Sequence, residues 1–218
     1  PQCFHQKRKA IELNDFVVKN VNGVIPIAFE YEVSYANCAK RLKTIPLPIN
    51  LNKVQYTQIK RKEKLVVFHG LNRYGFKGTR HVEEAFNILK RKYPNDLDLI
   101  IDGNMPINKY LDLLSKVDVV IDQLNSHSYG MNAIYAMAMG KIVLGGAEPE
   151  ALNSLNIRSC PVINVKPSAE SVVTAIEQLL DKRNEIPEMS YQSRIFVEQN
   201  HDCVNIAQCY IDQWMAAI

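Results

Sequence analysis

From residue 64 onward, short apolar runs alternate with longer segments whose apolar residues recur at helical spacing. The short runs, at 65–69, 97–101, 117–121, 141–144 and 161–165, are typical of buried strands. The periodic segments predict helices over 79–92, 107–115, 130–139, 148–155, 168–181, 191–199 and 203–217, and Ser168 is the predicted cap of the fifth. This alternation predicts an α/β fold with a doubly wound parallel sheet, Rossmann-like, with helices on both faces.

The first 52 residues do not follow this pattern. Residues 2–19 have a helical pattern, 23–28 resemble a strand, 30–43 are mixed, and the prolines of 44–50 favour an extended chain. We interpret 1–52 as the remnant of a preceding domain, 53–63 as a linker, 64–200 as the main domain and 201–218 as a terminal helix. Because the sequence begins with Pro1 and not Met, we expect a piece of a longer chain.

Composition is that of an ordinary globular protein: 218 residues, 47% apolar, 22% charged, net charge +3. Basic clusters at 7–9, 60–62 and 90–92 fit either solvated surfaces or attraction to an anionic membrane or ligand. No nucleic-acid recognition motif accompanies them, so no nucleic-acid partner is expected. Five scattered cysteines predict reduced thiols in a cytoplasmic protein, and neither a signal peptide nor a membrane-spanning run is visible.

The loop after the first predicted strand, residues 69–78, combines three glycines with Arg73 and Lys77. An arginine can bind phosphate through two N–H groups, and a lysine adds a point charge. Gly70 and Gly78 would let the backbone approach a ligand closely. The dinucleotide fingerprint and the P-loop pattern are both absent. The alternative is an ordinary loop with two exposed cations.

Residues 128–140 read as a small-residue turn, a helix and a glycine stop, directly after a predicted strand. The first amides of a helix lack intrahelical acceptors and lie at the positive end of its dipole, so Gly130 would begin a phosphate seat. His127 precedes the turn and Tyr135 lies eight residues later. They could lie on one side of the turn and helix, although core packing is the favoured interpretation of Tyr135.

Further polar residues follow other strands. His69 and Asp122 end two of them and could line a cleft, with packed structural roles as the alternative. Glu148 and Glu150 follow the glycine pair 145–146, where they suit a helix start or could accept hydrogen bonds from sugar hydroxyls. No nucleophile motif or metal-ligand spacing stands out, so no catalytic residue is assigned and no metal site is predicted.

In order and spacing, these motifs resemble the carboxyl-terminal, donor-binding domain of GT-B glycosyltransferases of the group 1, family 4-like type. Arg73 and the pair Lys77-Gly78 are similar to the family's donor-diphosphate contacts. Tyr129-Gly130 with 136–140 resembles its phenylalanine-glycine turn and Glu-Ala-Met-Ala-x-Gly helix. The resemblance implies diphosphate binding by Arg73, Lys77, Gly78, Tyr129, Gly130 and Met131. It implies donor sugar or ribose binding by His127, Tyr135, Glu148 and Glu150, with His69, Gly70 and Asp122 in the cleft.

The sequence departs from the family at two of these positions. The family has glutamates where His127 and Tyr135 stand, and neither residue is an ionised carboxylate at neutral pH. The arginine also lies four residues before the lysine, where the family has five. With these departures, the resemblance does not assign the donor sugar.

The resemblance implies a retaining, metal-independent transfer of a sugar from a UDP- or GDP-linked donor, with no further cofactor. The acceptor would be a glycan or a lipid-linked molecule, with peripheral association at the inner face of the membrane, and this chain alone would be incomplete for turnover. The terminal helix would cross back to the amino-terminal domain. A non-catalytic binding or scaffold module of the same fold is the alternative, and a sugar-nucleotide epimerase a weaker one.

Overall fold

A computed structural model describes residues 8–60, 63–71 and 74–217 of the chain. The strands are β1 Leu65–Gly70, β2 Leu97–Asp102, β3 Val119–Ile121, β4 Ile142–Gly145 and β5 Ile163–Asn164. The helices are α1 Arg8–Lys19, α2 Phe29–Ser34, α3 Tyr74–Lys77, α4 Thr79–Lys92, α5 Ile107–Lys116, α6 Met131–Ala138, α7 Pro149–Ser154, α8 Ala169–Asp181, α9 Ile186–Asn200 and α10 Cys203–Ala217.

The five strands form one parallel sheet in the order β2-β1-β3-β4-β5, which confirms the predicted fold class. Each strand is paired in register with its neighbours, for example Val67 with Val119 and Val119 with Ile142. From β1 the chain continues to β2 at one edge of the sheet. From β3 it continues through β4 to β5, at the other edge. The loops after β1 and β3 therefore diverge and leave a crevice at the carboxyl ends of the two strands, where ligands of doubly wound sheets bind.

Alternate strand residues supply two hydrophobic cores, one on each face of the sheet. Leu65 and Val67 of β1 point into a core closed by α4 and α8, with Leu89 and Ile176 fully buried there. Phe68 points to the opposite face, into the core that α6 and the end of α9 cover. The alternation follows from the two-residue period of a strand. Each fully buried aliphatic side chain contributes about 1.5–3 kcal/mol relative to its exposed state.

Most predicted elements are present with small shifts at their ends. The helices at 79–92 and 203–217 are confirmed at both ends. The third strand begins at Val119, two residues later than predicted, and Asp118 accepts the Val66 N–H through its carboxylate at 3.0 Å. Helix α9 begins five residues earlier than predicted, and Pro187 lies in its first turn, where a missing N–H costs nothing.

The strand predicted over 23–28 is wrong. Only one isolated bridge forms there, between Val24 and Arg41, because Pro26 has no N–H to donate to a ladder. The short helix α2 follows instead. Beyond it the chain is extended, as predicted, and a bridge joins Ile49 to Asp202 beside the start of α10. The assignment of these residues to a remnant domain and a linker stays a prediction.

Helix α10 exposes several large apolar side chains, among them Ile211, Trp214 and Met215. An exposed apolar face marks an interaction surface or one that a further part of a chain covers. Among the residues described, no helix combines the length and the apolar character needed to cross a membrane.

Candidate functional site: an anion seat at the sheet crevice

Lys77 and the start of helix α6 meet at the carboxylate of Asp122. The Lys77 Nζ lies 3.2 Å from Asp122 Oδ1, and the Gly130 N–H donates to Asp122 Oδ2 at 3.1 Å. Lys77 is 6% exposed and Asp122 2%. The cation and the helix amide therefore flank one buried carboxylate, at the point where the loops after β1 and β3 diverge. We call Lys77, Asp122 and the first amides of α6 the anion seat.

Two short loop segments bring these groups together. Helix α3 carries Lys77 at its last residue, and Gly78 then turns the chain into α4 with φ +73°, a conformation that favours glycine. The Leu124 N–H donates to the Lys77 carbonyl at 3.1 Å, so the β1–α4 loop is bound to the β3–α6 loop, residues 122–130. The crevice is thus held by backbone contacts as well as by the ion pair.

Helix α6 has no side chain in its own sequence that caps its amino terminus. Asp122, eight residues upstream, binds the Gly130 N–H in place of such a cap. The amides of residues 131–133 remain the groups for which an α-helix offers no internal acceptor. They carry the positive end of the helix dipole, about half an elementary charge. The Met131 side chain beside them is exposed.

Of the predicted diphosphate contacts, Tyr129 has its side chain turned away from this arrangement. Arg73 lies outside the described residues. The Tyr129 side chain is buried and its hydroxyl lies 3.1 Å from His201 Nε2, while His201 Nδ1 lies 2.8 Å from the Leu47 carbonyl. Burial raises the pKa of Tyr129 and lowers that of His201 to about 4. The tyrosine ring thus ties the loop to the α9–α10 junction.

His69 is a packed residue inside the fold. Its Nδ1 lies 2.9 Å from the Ile121 carbonyl, and its Nε2 lies 3.0 Å from the Thr79 hydroxyl. A carbonyl can only accept, so Nδ1 carries the proton and Nε2 accepts from Thr79 in the neutral ring. Burial lowers the pKa of His69 and keeps the ring neutral. Next to it, a Cβ on Gly70 would lie 4.0 Å from Lys77 Nζ, so Gly70 borders the seat.

The two predicted sugar contacts on the α6 side have different surroundings. His127 is exposed, and its ring lies against Phe29 of α2 with centroids 5.3 Å apart. Tyr135 is half-buried and packs against the core on the α6 face of the sheet. The structure therefore places Tyr135 as the packing interpretation expects, and His127 as a surface residue of the loop.

The two glutamates that follow β4, Glu148 and Glu150, also have different surroundings. Glu148 Oε1 pairs with Lys166 Nζ at 2.6 Å, and that hydrogen bond lowers the pKa of Glu148. Glu150 is exposed in the first turn of α7. Gly146 is required for this turn, since a Cβ there would lie 2.0 Å from the Ser126 carbonyl oxygen.

Glu30 of helix α2 is a residue that the sequence did not indicate. Its Oε1 accepts hydrogen bonds from Ser126 Oγ at 2.5 Å and from the Ser128 N–H at 3.0 Å. These partners lie 96 and 98 residues away along the chain, and no local pattern predicts such a contact. Among the residues described, no group of three or more His, Cys, Asp or Glu side chains is placed to hold a metal ion.

No protein-family model matches the sequence, and no curated protein matches it either. Several solved structures share its fold. HepE of Anabaena, solved in complex with UDP and glucose, aligns with 97% of this chain and 68% of its own at 13% identity and a TM-score of 0.73. Sucrose-phosphate synthase of Thermosynechococcus elongatus aligns with 99% of this chain and 65% of its own, at 16% identity and a TM-score of 0.69.

A third structure is that of a single domain and aligns with a smaller share of this chain. The carboxyl-terminal domain of the group 1 glycosyltransferase LpcC of Francisella tularensis aligns over 99% of its length with 71% of this chain, at 16% identity and a TM-score of 0.50. At such identities the likeness concerns the fold. The predicted resemblance is confirmed at that level: the chain has the Rossmann-like fold of the carboxyl-terminal domain of GT-B glycosyltransferases.

Proposed function

We propose that this chain is the donor-binding part of a glycosyltransferase that uses a UDP- or GDP-linked sugar. The observation that carries the proposal is the convergence of Lys77 and the α6 amino terminus on one carboxylate in the sheet crevice. A diphosphate is the common ligand chemistry that needs a cation and free backbone amides side by side. The fold likeness to HepE, whose structure holds UDP and glucose, supports the same ligand class.

In this proposal the seat stabilises negative charge as the nucleotide diphosphate leaves the sugar. Lys77 supplies a full positive charge, and the α6 amides supply oriented dipoles that need no rearrangement during the reaction. These groups give the charge stabilisation that a metal ion gives in other transferases, and we propose a metal-independent, retaining transfer without a further cofactor. Arg73 is proposed as a second cation, and Glu148 and Glu150 as sugar or ribose contacts.

The acceptor is proposed to be a glycan or a lipid-linked molecule. The chain spans about two thirds of the length of HepE and of sucrose-phosphate synthase. We therefore expect it to bind a nucleotide without completing turnover. Peripheral association with an anionic membrane, through the basic clusters, remains part of the proposal.

Calorimetric titration of the chain with UDP and GDP tests the proposal. We expect binding of one nucleotide in the micromolar to millimolar range, and at least tenfold weaker binding by Lys77→Met, which keeps most of the side-chain volume. Lys116→Ala is the control, since Lys116 ends helix α5 shortly before the amino end of β3, away from the carboxyl ends of the strands, and pairs with Asp112 on the surface. Circular dichroism checks that each variant is folded. Absence of binding by the wild-type chain contradicts the proposal.

A second candidate function is a non-catalytic binding or scaffold module of the same fold. One observation favours it: Asp122 already occupies both Lys77 and the Gly130 N–H. In addition, Tyr135 packs against the core on the α6 face, which limits the surface that it could offer to a ribose. The same titration separates the two functions, because a scaffold without a nucleotide site gives no heat with either nucleotide, and Lys77→Met then changes nothing but stability.

A further inference from the structure

Helix α2 contacts the β3–α6 loop through the carboxylate of Glu30. One oxygen, Oε1, accepts from the Ser126 hydroxyl at 2.5 Å and from the Ser128 N–H at 3.0 Å. Hydrogen bonds to an ionised carboxylate are about twice as strong as neutral ones. Partial burial alone would raise the pKa of Glu30, but the hydrogen bonds from the two serines outweigh it and lower that pKa. The carboxylate is therefore ionised at neutral pH.

The residue between these two serines is also held by α2. The His127 ring packs against Phe29, with centroids 5.3 Å apart and planes at 50°. Three consecutive contacts from two neighbouring residues of α2 thus fall on residues 126–128. The His127 carbonyl in turn accepts the Glu148 N–H at 3.0 Å, so the held segment also joins the start of α7.

The held segment leads directly into the anion seat. Ser128 is followed by Tyr129 and then by Gly130, whose N–H binds Asp122. A second bond inside the loop, from Gln123 Nε2 to the Ser128 carbonyl at 2.8 Å, joins the held residue to the residue next to Asp122. A change in the backbone of Ser128 is therefore passed to the first amides of α6 within two residues.

We infer that Glu30 is a positioning residue for the nucleotide site: it holds residues 126–130 so that the first turn of α6 and Lys77 face the same diphosphate. This inference rests on the proposed function. The amino-terminal segment would then control the conformation of the seat directly. Almost 100 residues of sequence separate Glu30 from the loop that it holds. Glu30 acts through the loop and does not itself contact the diphosphate.

Glu32 offers a matched control on the same helix. It lies two residues from Glu30, and its carboxylate binds Arg41 Nη1 at 3.1 Å and Thr44 Oγ1 at 3.2 Å, both within the amino-terminal segment. Loss of Glu32 therefore weakens the attachment of α2 without removing a hydrogen bond from the β3–α6 loop. Glu30→Gln is the conservative variant, because an amide oxygen can accept the same two hydrogen bonds.

The test measures UDP affinity by calorimetry and amide hydrogen exchange of the segment 126–134 in Glu30→Ala, Glu30→Gln and Glu32→Ala. We expect Glu30→Ala to weaken UDP binding about tenfold and to speed exchange of the Ser128 amide at least tenfold in the free protein. Glu30→Gln should stay within about threefold of wild type in both measurements. Glu32→Ala should keep wild-type affinity and exchange at Ser128, even where its melting temperature falls as far as that of Glu30→Ala.

Equal behaviour of Glu30→Ala and Glu32→Ala in both measurements overturns the inference, because the effect is then one of general stability. If only GDP binds to the wild-type chain, the affinities are compared with GDP. A wild-type chain that binds neither UDP nor GDP contradicts the proposed function instead. In that case exchange at Ser128 still decides whether Glu30 holds the loop, since that measurement needs no ligand.

Discussion

The Lys77 ammonium and the Asp122 carboxylate form an ion pair at 3.2 Å in which both side chains are almost fully buried. Such a pair is held in place because removing either partner leaves the other charged and desolvated. The second carboxylate oxygen binds the Gly130 N–H, so the pair also fixes the start of α6. If the proposed function holds, a diphosphate that enters the crevice must share Lys77 with Asp122 or displace Asp122.

Asp122→Asn should make the stability of the folded chain depend on an added anion. The substitution leaves Lys77 buried without a counter-charge, which costs about 3 kcal/mol and lowers the melting temperature by roughly 6–12 °C. Inorganic pyrophosphate can take the place of the lost carboxylate. We therefore expect it to raise the melting temperature of Asp122→Asn, measured by differential scanning fluorimetry, more than that of wild type.

The double variant Lys77→Met with Asp122→Asn is the control for this experiment. It removes both charges and keeps an acceptor for the Gly130 N–H, so it should recover most of the lost stability and show no response to pyrophosphate. If Asp122→Asn melts at the wild-type temperature in the absence of anions, the buried ion pair does not stabilise the fold.

Gly146→Ala should displace the β3–α6 loop. The new Cβ would lie 2.0 Å from the Ser126 carbonyl oxygen, a backbone atom that cannot move without shifting the segment held by Glu30. Overpacking of this kind typically costs 1–3 kcal/mol, and we expect about 2 kcal/mol in urea unfolding together with weaker UDP binding.

The neighbouring Gly145 gives the matched control. A Cβ there has its nearest contact at 3.5 Å, which is ordinary van der Waals distance. Gly145→Ala should therefore change the unfolding free energy by less than about 1 kcal/mol. Equal losses in the two variants would show that the close approach of Gly146 to Ser126 has no special role.

The fold was accessible from the sequence because its signals are local. Buried parallel strands are continuous apolar runs, and helices such as 79–92 have strong periodicity, so both appear without knowledge of contacts. The convergence of the loops at 77 and 130 also follows from the order of strands. Ser168 was predicted as a cap from its position alone, and its side chain accepts the Ser171 N–H at 3.1 Å.

The details of the site depend on contacts between distant residues. Nothing near Asp122 in the sequence shows that its two oxygens bind Lys77 and Gly130, 45 residues before it and eight after it. Glu30 and His201 are further examples, since each reaches the β3–α6 loop from another part of the chain. The predicted strand at 23–28 is wrong because Pro26 has no N–H to donate to a ladder, so pairing stops at the single bridge between Val24 and Arg41.

Ser168→Ala tests the cap of α8. The variant leaves the Ser171 N–H without its acceptor, and we expect a loss of about 1 kcal/mol in urea unfolding. Ser168→Asp should keep wild-type stability, since aspartate is an equally good cap and suits the helix dipole. A loss of similar size in both variants would show that the serine contributes through packing.

Acid should destabilise the chain through His201. Burial lowers the pKa of this histidine from 6.5 to about 4, so between these values the unfolded chain binds a proton that the folded chain does not. Stability therefore falls as the pH falls through this window, by about 2 kcal/mol between pH 7 and pH 5. Buried His69, whose pKa burial also lowers, adds a change of the same sign.

Urea unfolding at several pH values in that range measures the effect. His201→Asn removes the titrating ring and keeps a donor for the Leu47 carbonyl, so its unfolding free energy should depend less on pH than that of wild type, even if it is lower throughout. Parallel pH profiles for wild type and His201→Asn would mean that His201 takes up its proton equally in the folded and unfolded chains, and the α9–α10 junction would then not be a dry site.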